Sequence, residues 1–344
     1  MRIAILTDAW LPQVNGVVRT LKTTISILQQ WGHEVLCINP QLFRTLPLPT
    51  YPDIPLSLLP YRKVCRLLEE FQPDAIHIST EGPIGWAGRR YCLKHDFPYT
   101  STYHTRFPEY VRLRAPIPLA LSYAFVRRFH GSAVHTMVAT RSMRTTLEAW
   151  GFRNLEYWTR GVDINHFVPL TESVLDLPRP ITLYMGRVAV EKNIRDFLEL
   201  ELPGSKVVIG DGPAREDLQQ AYPHAHFLGY LQNGDLARHL ASVDVMVFPS
   251  RTDTFGLVML EAMACGVPVA TYPVEGPLDV IVNGVNGWMD EDLRTAVLKA
   301  LEVERASCRR FAEGYSWEAC TRQFLSLIEP KPQYQTSALD DVKS

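Results

Sequence analysis

An acidic residue and a glutamate separated by seven residues, Asp253 and Glu261, lie where a strand is expected to give way to a helix. The apolar run Val243–Phe248 predicts the strand, and the helix is expected to open at about Gly256. The first N–H groups of a helix lack internal partners and favour a negative group. Two carboxylates beside such amides can bond sugar and ribose hydroxyls. The alternative is that Asp253 is an N-cap or a turn residue and that Glu261 is a solvated helix carboxylate.

Two cations share a second strand-to-helix loop. Arg187 and Lys192 lie in Met185-Gly-Arg-Val-Ala-Val-Glu-Lys-Asn-Ile194. A planar guanidinium and a point-charge ammonium together suit a diphosphate. Taken alone, such a pair is more often part of a solvated face.

Two turns in the first half contain weaker candidates. His104, in Thr102-Tyr-His-Thr-Arg-Phe-Pro, follows an expected strand and could transfer a proton or hydrogen-bond a sugar hydroxyl. Gly16, after Asn15, would form a tight turn with exposed amides before a helix. A lone histidine is more often structural, and Asn-Gly pairs occur at many turns.

The elements that position these residues alternate between strand and helix in both halves, which predicts α/β architecture with parallel sheets. The expected strands are Arg2–Thr7, Glu34–Asn39, Ala75–Ser79, Tyr99–Tyr103 and Thr136–Ala139, then Ile181–Met185, Lys206–Ile209, His226–Leu228, Val243–Phe248 and Val267–Thr271. We predict two doubly wound domains, residues 1–165 and 166–315, with a helix at 316–328 and a disordered tail at 329–344. Ligands of open parallel sheets bind beyond the carboxyl ends of the strands.

Composition is that of a soluble globular chain, with 46 % hydrophobic and 21 % charged residues. Residues 1–165 carry 19 Lys/Arg and 12 Asp/Glu, whereas the remainder carries 16 and 25. The six cysteines are scattered and lack zinc-ligand spacing. No apolar run reaches the length of a membrane span, and the N-terminus lacks a signal-peptide pattern, so we expect a cytoplasmic protein.

Residues 110–131 combine an apolar stretch with four arginines, which suits an anionic membrane surface. An ordinary core helix with solvated arginines explains the pattern equally well. We therefore carry forward peripheral contact with the inner face of the cytoplasmic membrane as one expectation.

Together these motifs resemble those of the retaining family 4 glycosyltransferases, in order along about residues 1–328. Asp253 to Glu261 is similar to the E-x7-E signature, and Gly186 to Asn193 is similar to the G-R-x-x-x-E-K-[ND] loop. The turn Arg160-Gly-Val-Asp163 resembles the one that enters the second domain. Two positions depart from the family pattern: its first Glu is Asp253 here, and the Asp of its Tyr-His-Thr-Asp-Phe-Pro segment is Arg106.

The resemblance implies the GT-B fold, two facing Rossmann-like domains with a cleft between them, and a helix at 316–328 that crosses back to the first domain. The second domain would hold the nucleotide sugar and the first the acceptor. The implied donor-binding residues are Gly16, Arg187, Lys192, Asp253, Phe255, Gly256, Leu257, Val258 and Glu261. The implied catalytic residues are His104, Asp253, Arg187 and Lys192; Arg106 is left without a role.

The predicted function is that of a retaining hexosyltransferase acting on a lipid or glycan acceptor, without cofactor or metal and without nucleic acid as a partner. The segment around Asp253 looks most similar to GDP-mannose-dependent α-mannosyltransferases, so mannose is favoured. UDP-glucose and UDP-sulfoquinovose stay open as donors. Two other classes also stay open: a same-fold epimerase or phosphorylase, and a non-catalytic sugar-nucleotide binder.

Overall fold

The computed structural model describes residues 1–13, 15–48, 51–114, 116–170, 172–231, 233–253 and 255–330. It divides into two compact units. The first contains Met1–Thr159 and the chain from Cys320 onward, and the second contains Arg160–Ala319. The division falls six residues before the predicted boundary at residue 165. Of the predicted disordered tail, residues 331–344 lie outside the described residues.

The first unit is built on a six-stranded parallel sheet in the order β2-β1-β5-β6-β7-β8. Its strands are β1 (Arg2–Leu6), β2 (Glu34–Ile38), β5 (Ala75–Ile78), β6 (Tyr99–Thr102), β7 (Thr136–Val138) and β8 (Leu155–Tyr157). Its helices are α1 (Gly16–Gln30), α2 (Tyr61–Phe71), α3 (Pro83–Lys94), α4 (Phe107–Arg114), α5 (Leu119–His130) and α6 (Arg141–Ala149). Continuous apolar strands such as β1 form because helices cover both faces of a parallel sheet.

The first unit also contains an antiparallel hairpin that the sequence pattern did not predict. It pairs β3 (Thr45–Leu48) with β4 (Tyr51–Ser57). Prolines at 47, 52 and 55 interrupt the alternation that would mark strands, since proline removes a backbone donor. The predictions also missed the three-residue strand β8, which is too short to show periodicity.

The second unit contains a six-stranded parallel sheet in the order β11-β10-β9-β12-β13-β14. Its strands are β9 (Ile181–Met185), β10 (Ser205–Ile209), β11 (His226–Gly229), β12 (Val245–Phe248), β13 (Val269–Thr271) and β14 (Gly287–Met289). Its helices are α7 (Ile194–Glu199), α8 (Arg215–Ala221), α9 (Asn233–Ala241), α10 (Leu257–Ala264), α11 (Pro277–Val280), α12 (Leu293–Ala300) and α13 (Arg305–Glu313). The strand order is that of a dinucleotide-binding fold, so the predicted α/β class is confirmed.

A last helix, α14 (Trp317–Leu327), spans the division in the chain. Within the first unit, the indole N–H of Trp158 donates to the carbonyl oxygen of Cys320 at 3.1 Å. The Phe324 ring packs edge-on against the buried imidazole of His77, with centroids 4.9 Å apart. Residues 320–328 therefore complete the first unit's core.

Each sheet reverses its strand order at one place, and the loops beside that reversal are where ligands of open α/β sheets bind. In the first unit the reversal lies between β1 and β5, and in the second between β9 and β12. Ligands are therefore expected at the loops that follow β1, β5, β9 and β12.

Candidate functional site

The loop after β9 contains the two predicted cations. The hydroxyl of Tyr184 donates to the carbonyl oxygen of Arg187 at 2.7 Å. The N–H of Val188 donates to the carbonyl oxygen of Asp211 at 2.9 Å, which ties the loop to the end of β10. Arg187 and Lys192 are both half-buried. These two hydrogen bonds fix the backbone of the loop on either side of Arg187.

Lys192 forms an ion pair with Asp253, which comes from the loop after β12, 61 residues away in sequence. The two side chains are 19 % and 18 % exposed. A second link joins these loops, because the Thr252 hydroxyl donates to the carbonyl oxygen of Glu191 at 3.2 Å. The Asp253 Oδ2 atom is buried and has no hydrogen-bond partner among the described residues. One carboxylate oxygen thus holds Lys192, and the other is suited to a ligand hydroxyl.

Helix α10 begins directly after this loop. Its N-cap is Gly256, at φ +79°, where a β-carbon would lie 2.8 Å from Cζ of Phe248. Only glycine fits this left-handed, crowded position without strain. No side chain of the described residues caps the helix. The amides that open α10 therefore face the loop beside Asp253, as an anion site requires.

The structure rules out an N-cap role for Asp253 and a solvated position for Glu261. Asp253 is not the N-cap of α10, since Gly256 is. Glu261 is not a solvated helix carboxylate, because it is only 3 % exposed. Of the other predicted donor-binding residues, Phe255 is buried, and Leu257 and Val258 are half-buried in the first turn of α10.

Gly16 is the first residue of α1 in the first unit. The preceding Asn15 is the N-cap, and its side-chain oxygen accepts from the N–H of Val18 at 3.0 Å. One of the helix's unpaired amides is thereby satisfied, while Gly16 stays at the end of the loop after β1. The predicted position of Gly16 at a strand-to-helix turn is therefore observed, and its donor-binding role stays a prediction.

His104 lies in the loop after β6 and is 8 % exposed. Its ring packs edge-on against Trp158, with centroids 5.8 Å apart. Gly16 and His104 thus belong to the first unit, whereas the other predicted site residues belong to the second.

Arg106, which the sequence left without a role, is part of a polar cluster in the first unit. Its guanidinium bonds Oε1 of Glu109 at 2.9 Å, and the hydroxyl of Tyr123 donates to the same oxygen at 2.6 Å. The Tyr123 ring stacks on Trp150, with centroids 4.2 Å apart and planes 8° from parallel. Burial and the Glu109 carboxylate raise the pKa of Tyr123. The cluster fixes the segment that follows His104.

Two further carboxylates, Asp8 and Glu81, follow β1 and β5 at the strand-order reversal of the first unit. Burial raises the pKa of Asp8 to about 6, against the opposing effect of the N–H groups of Ile84 and Gly85 that bond it. Glu81 pairs with the buried His130 at 2.9 Å. Sequence reasoning missed both residues, although each directly follows a strand end in Leu6-Thr-Asp8 and Ser79-Thr-Glu81.

The second unit's loops can hold a phosphorylated ligand. Arg187, Lys192 and the first amides of α10 supply positive charge, and Asp253 and Glu261 supply hydroxyl acceptors in the same unit. Within the described ranges, no three His, Cys, Asp or Glu side chains gather in a way that would hold a metal ion. No helix in those ranges is long and apolar enough to span a bilayer.

Comparison with known families agrees with this arrangement. Residues 14–166 match the family described as Glycosyltransferase Family 4, and residues 179–302 match Glycosyl transferases group 1. The first match begins near the end of the loop after β1 and covers the loops after β5 and β6, and the second covers the loops after β9 and β12. Both units are therefore accounted for.

Individual relatives cover nearly the whole chain. It is 30 % identical to a GDP-mannose-dependent α-mannosyltransferase of Mycobacterium tuberculosis (strain CDC 1551 / Oshkosh), over 96 % of each chain. It is 25 % identical to the α-monoglucosyldiacylglycerol synthase of Streptococcus pneumoniae (strain ATCC BAA-255 / R6), over 88 % of this chain and 78 % of the relative. Among solved structures, sucrose-phosphate synthase from Thermosynechococcus elongatus superposes with a TM-score of 0.76 at 20 % identity, covering 95 % and 98 % of the chains. The chain belongs to glycosyltransferase family 4 and has the GT-B fold of that family.

Proposed function

We propose that the protein is a retaining glycosyltransferase that moves a hexose, with mannose favoured, from a nucleotide-diphosphate sugar to a lipid or glycan acceptor. The observation that carries the proposal is the Lys192–Asp253 pair. It joins a cation that would bind phosphate to a carboxylate that would bind a hydroxyl, beside the first turn of α10. A sugar diphosphate needs both chemistries next to each other.

The reaction breaks the bond between the anomeric carbon and the diphosphate oxygen. Negative charge develops on the departing diphosphate, and positive charge develops on the sugar ring. Arg187, Lys192 and the amides that open α10 would stabilise the first charge in a preorganised way. The acceptor oxygen attacks the same face, and its proton passes to the departing diphosphate. An α-linked donor then gives an α-linked product, and detection of a covalent sugar–enzyme adduct would refute this route.

Guanosine diphosphate mannose is the favoured donor. Support comes from the relative that is named for this donor and that aligns over nearly the full chain. Under this proposal Asp253 and Glu261 bond hydroxyls of the sugar and the ribose. No metal is required, because the cations and helix amides supply the positive charge.

A lipid acceptor and a peripheral membrane position are the next part of the proposal. Four apolar side chains of 107–125 are exposed to solvent: Phe107 (43 %), Ile117 (40 %), Leu121 (64 %) and Phe125 (46 %). Arg112, Arg127 and Arg128 are exposed in the same stretch. Apolar side chains flanked by arginines suit an anionic lipid surface, such as the inner face of the cytoplasmic membrane. The relative named for diacylglycerol glucosylation also supports a lipid acceptor.

Nucleotide release tests the proposal. The purified protein is offered GDP-mannose, UDP-glucose and UDP-sulfoquinovose, each with and without EDTA. Three acceptors are compared: phosphatidylglycerol vesicles containing diacylglycerol, the same vesicles containing monoglucosyldiacylglycerol, and methyl α-mannopyranoside. Lys192→Met serves as the inactive control.

We expect release of GDP from GDP-mannose that depends on one of these acceptors and persists in EDTA. Release from a UDP-sugar instead would keep the transferase and change the donor. Binding of a donor without release under any condition would favour a non-catalytic sugar-nucleotide binder. An isomerised sugar nucleotide without release would favour an epimerase.

A further inference from the structure

The carboxylate of Glu81 is at the place in the first unit where its fold binds ligands. Glu81 lies in the loop between β5 and α3, and β5 and β1 flank the strand-order reversal of the sheet. Ligands of open parallel sheets bind in the crevice beyond the carboxyl ends of the strands at such a reversal. In the second unit, the proposed donor residues Arg187 and Asp253 lie in the equivalent loops after β9 and β12. In the first unit, a substrate group would therefore bind at the loops after β1 and β5. Glu81 lies in the second of these loops.

Asp8 fixes the loop that carries Glu81. Its Oδ1 accepts from the N–H of Ile84 at 2.9 Å, and its Oδ2 accepts from the N–H of Gly85 at 3.1 Å and from the Thr80 hydroxyl at 3.0 Å. A β-carbon on Gly82 would lie 2.4 Å from Cγ of Asp8, so the loop lies directly against this carboxyl group. The backbone on both sides of Glu81 is therefore held in place.

His130 fixes the side chain of Glu81. The Nε2 atom of this fully buried imidazole lies 2.9 Å from Oε1 of Glu81, and its Nδ1 lies 2.8 Å from the hydroxyl oxygen of Ser101. With a proton on Nε2, the ring donates to Glu81 and accepts from Ser101. The Ser101 hydroxyl also lies 3.1 Å from that of Thr136. This chain of buried groups holds one oxygen of Glu81, and the side chain is still 14 % exposed.

The carboxylates of Asp8 and Glu81 favour a neutral hydroxyl group over a phosphate in these loops. The amides that open α3 would ordinarily attract a phosphate, but Asp8 already accepts from two of them. A second negative side chain, Glu81, stands in the same loop pair. A phosphate would be repelled here, whereas hydroxyl groups donate hydrogen bonds to a carboxylate.

We infer that Glu81 is an acceptor-binding residue that accepts a hydrogen bond from a hydroxyl of a neutral polyol group, with Asp8 and His130 as its positioning residues. The inference rests on the proposed transferase function and adds the chemical class of the acceptor group. The reacting end of the acceptor is then a sugar or glycerol hydroxyl, and any phosphate it carries lies away from this loop.

Kinetics of Glu81→Gln test the inference in the release assay above, with the acceptor probe that supports release by the wild type. The amide keeps a partner for His130 and removes the charge. Loss of a charged hydrogen bond is expected to lower kcat/KM for the acceptor about 10- to 100-fold. The KM for GDP-mannose, the affinity for GDP and the slow release without acceptor are expected to stay at wild-type values. Glu148→Gln, at an exposed glutamate paired with Arg144, is the matched control.

The outcomes separate the two proposals. No release by the wild type with any probe refutes the transferase and the inference with it. A wild type that turns over beside a Glu81→Gln variant with unchanged acceptor kinetics overturns the inference alone. Equal losses in kcat/KM for the donor and for the acceptor would assign Glu81 a structural role and would also overturn the inference. Should Glu81→Gln fail to fold, Glu81→Asp decides, because it keeps the charge and is expected to weaken only the acceptor term.

Discussion

Replacing Asp8 by asparagine is expected to change how stability depends on pH. The carboxyl group of Asp8 is 7 % exposed and has its pKa raised from 3.8 to about 6, chiefly because burial disfavours its charged form. In the unfolded chain it ionises near its ordinary pKa. Between these two values the native protein therefore binds more protons than the unfolded chain, and its stability falls as pH rises. An asparagine does not titrate, so this contribution disappears in the variant.

The magnitude follows from the size of the shift. One pKa unit corresponds to about 1.4 kcal/mol, so a rise from 3.8 to about 6 corresponds to about 3 kcal/mol when fully developed. Most of it, about 2 to 3 kcal/mol, is expressed between about pH 4 and about pH 7. Below the unfolded pKa the stabilising contribution is complete, and it is lost as pH rises through the folded pKa.

Urea unfolding of both proteins, followed by tryptophan fluorescence from pH 4 to pH 8, measures this contribution. The difference in unfolding free energy, wild type minus Asp8→Asn, cancels all other titrating groups. We expect this difference to fall by about 2 to 3 kcal/mol across the range. A difference that stays constant would refute the reasoning, because Asp8 would then titrate equally in both states. A rise would mean that the amides of Ile84 and Gly85 outweigh burial.

Three substitutions test the other parts of the site. Asp253→Asn removes the charged partner of Lys192. Calorimetry is expected to show that the variant binds GDP at least as tightly as the wild type, while its kcat/KM for GDP-mannose falls about 10- to 100-fold. Equal losses in GDP affinity and in kcat/KM for GDP-mannose would contradict a sugar-binding role. Gly256→Ala forces a left-handed alanine against Phe248, so we expect about 1–2 kcal/mol of lost stability and weaker GDP binding. Leu121→Asp is expected to reduce sedimentation with phosphatidylglycerol vesicles and to leave the unfolding midpoint unchanged; undiminished sedimentation would exclude this surface as the membrane contact.

The alternation of strands and helices was predictable in both units because apolar runs indicate most of the strands and helical periodicity indicates most of the helices between them. Strands β1, β2, β5 and β6 were predicted within one residue of their observed ends. The hairpin of β3 and β4, interrupted by prolines, and the three-residue strand β8 carry no periodic signal. Short elements of this kind are set by tertiary packing, which a local pattern does not record.

The loops after β9 and β12 could be named as candidate donor loops from the sequence because their charged residues are close together in the chain. Arg187 with Lys192, and Asp253 with Gly256, each fall within one short loop. The ion pair that joins the two loops was not predictable, since it depends on β9 and β12 being neighbours in the sheet. Glu81 was missed for the same reason, because its significance lies in the strand order beside β1 and in the distant His130.

The net charge of each half of the chain is opposite in sign to the charged residues at that half's strand-order reversal. The basic first half places two carboxylates, Asp8 and Glu81, at its strand-order reversal, and the acidic second half places Arg187 and Lys192 at its own. The helix ends follow the same division. The amides that open α3 are capped by Asp8, whereas those that open α10 have no side-chain cap among the described residues. The local charges of these four loops therefore support the proposed diphosphate site in the second unit and the proposed hydroxyl site in the first.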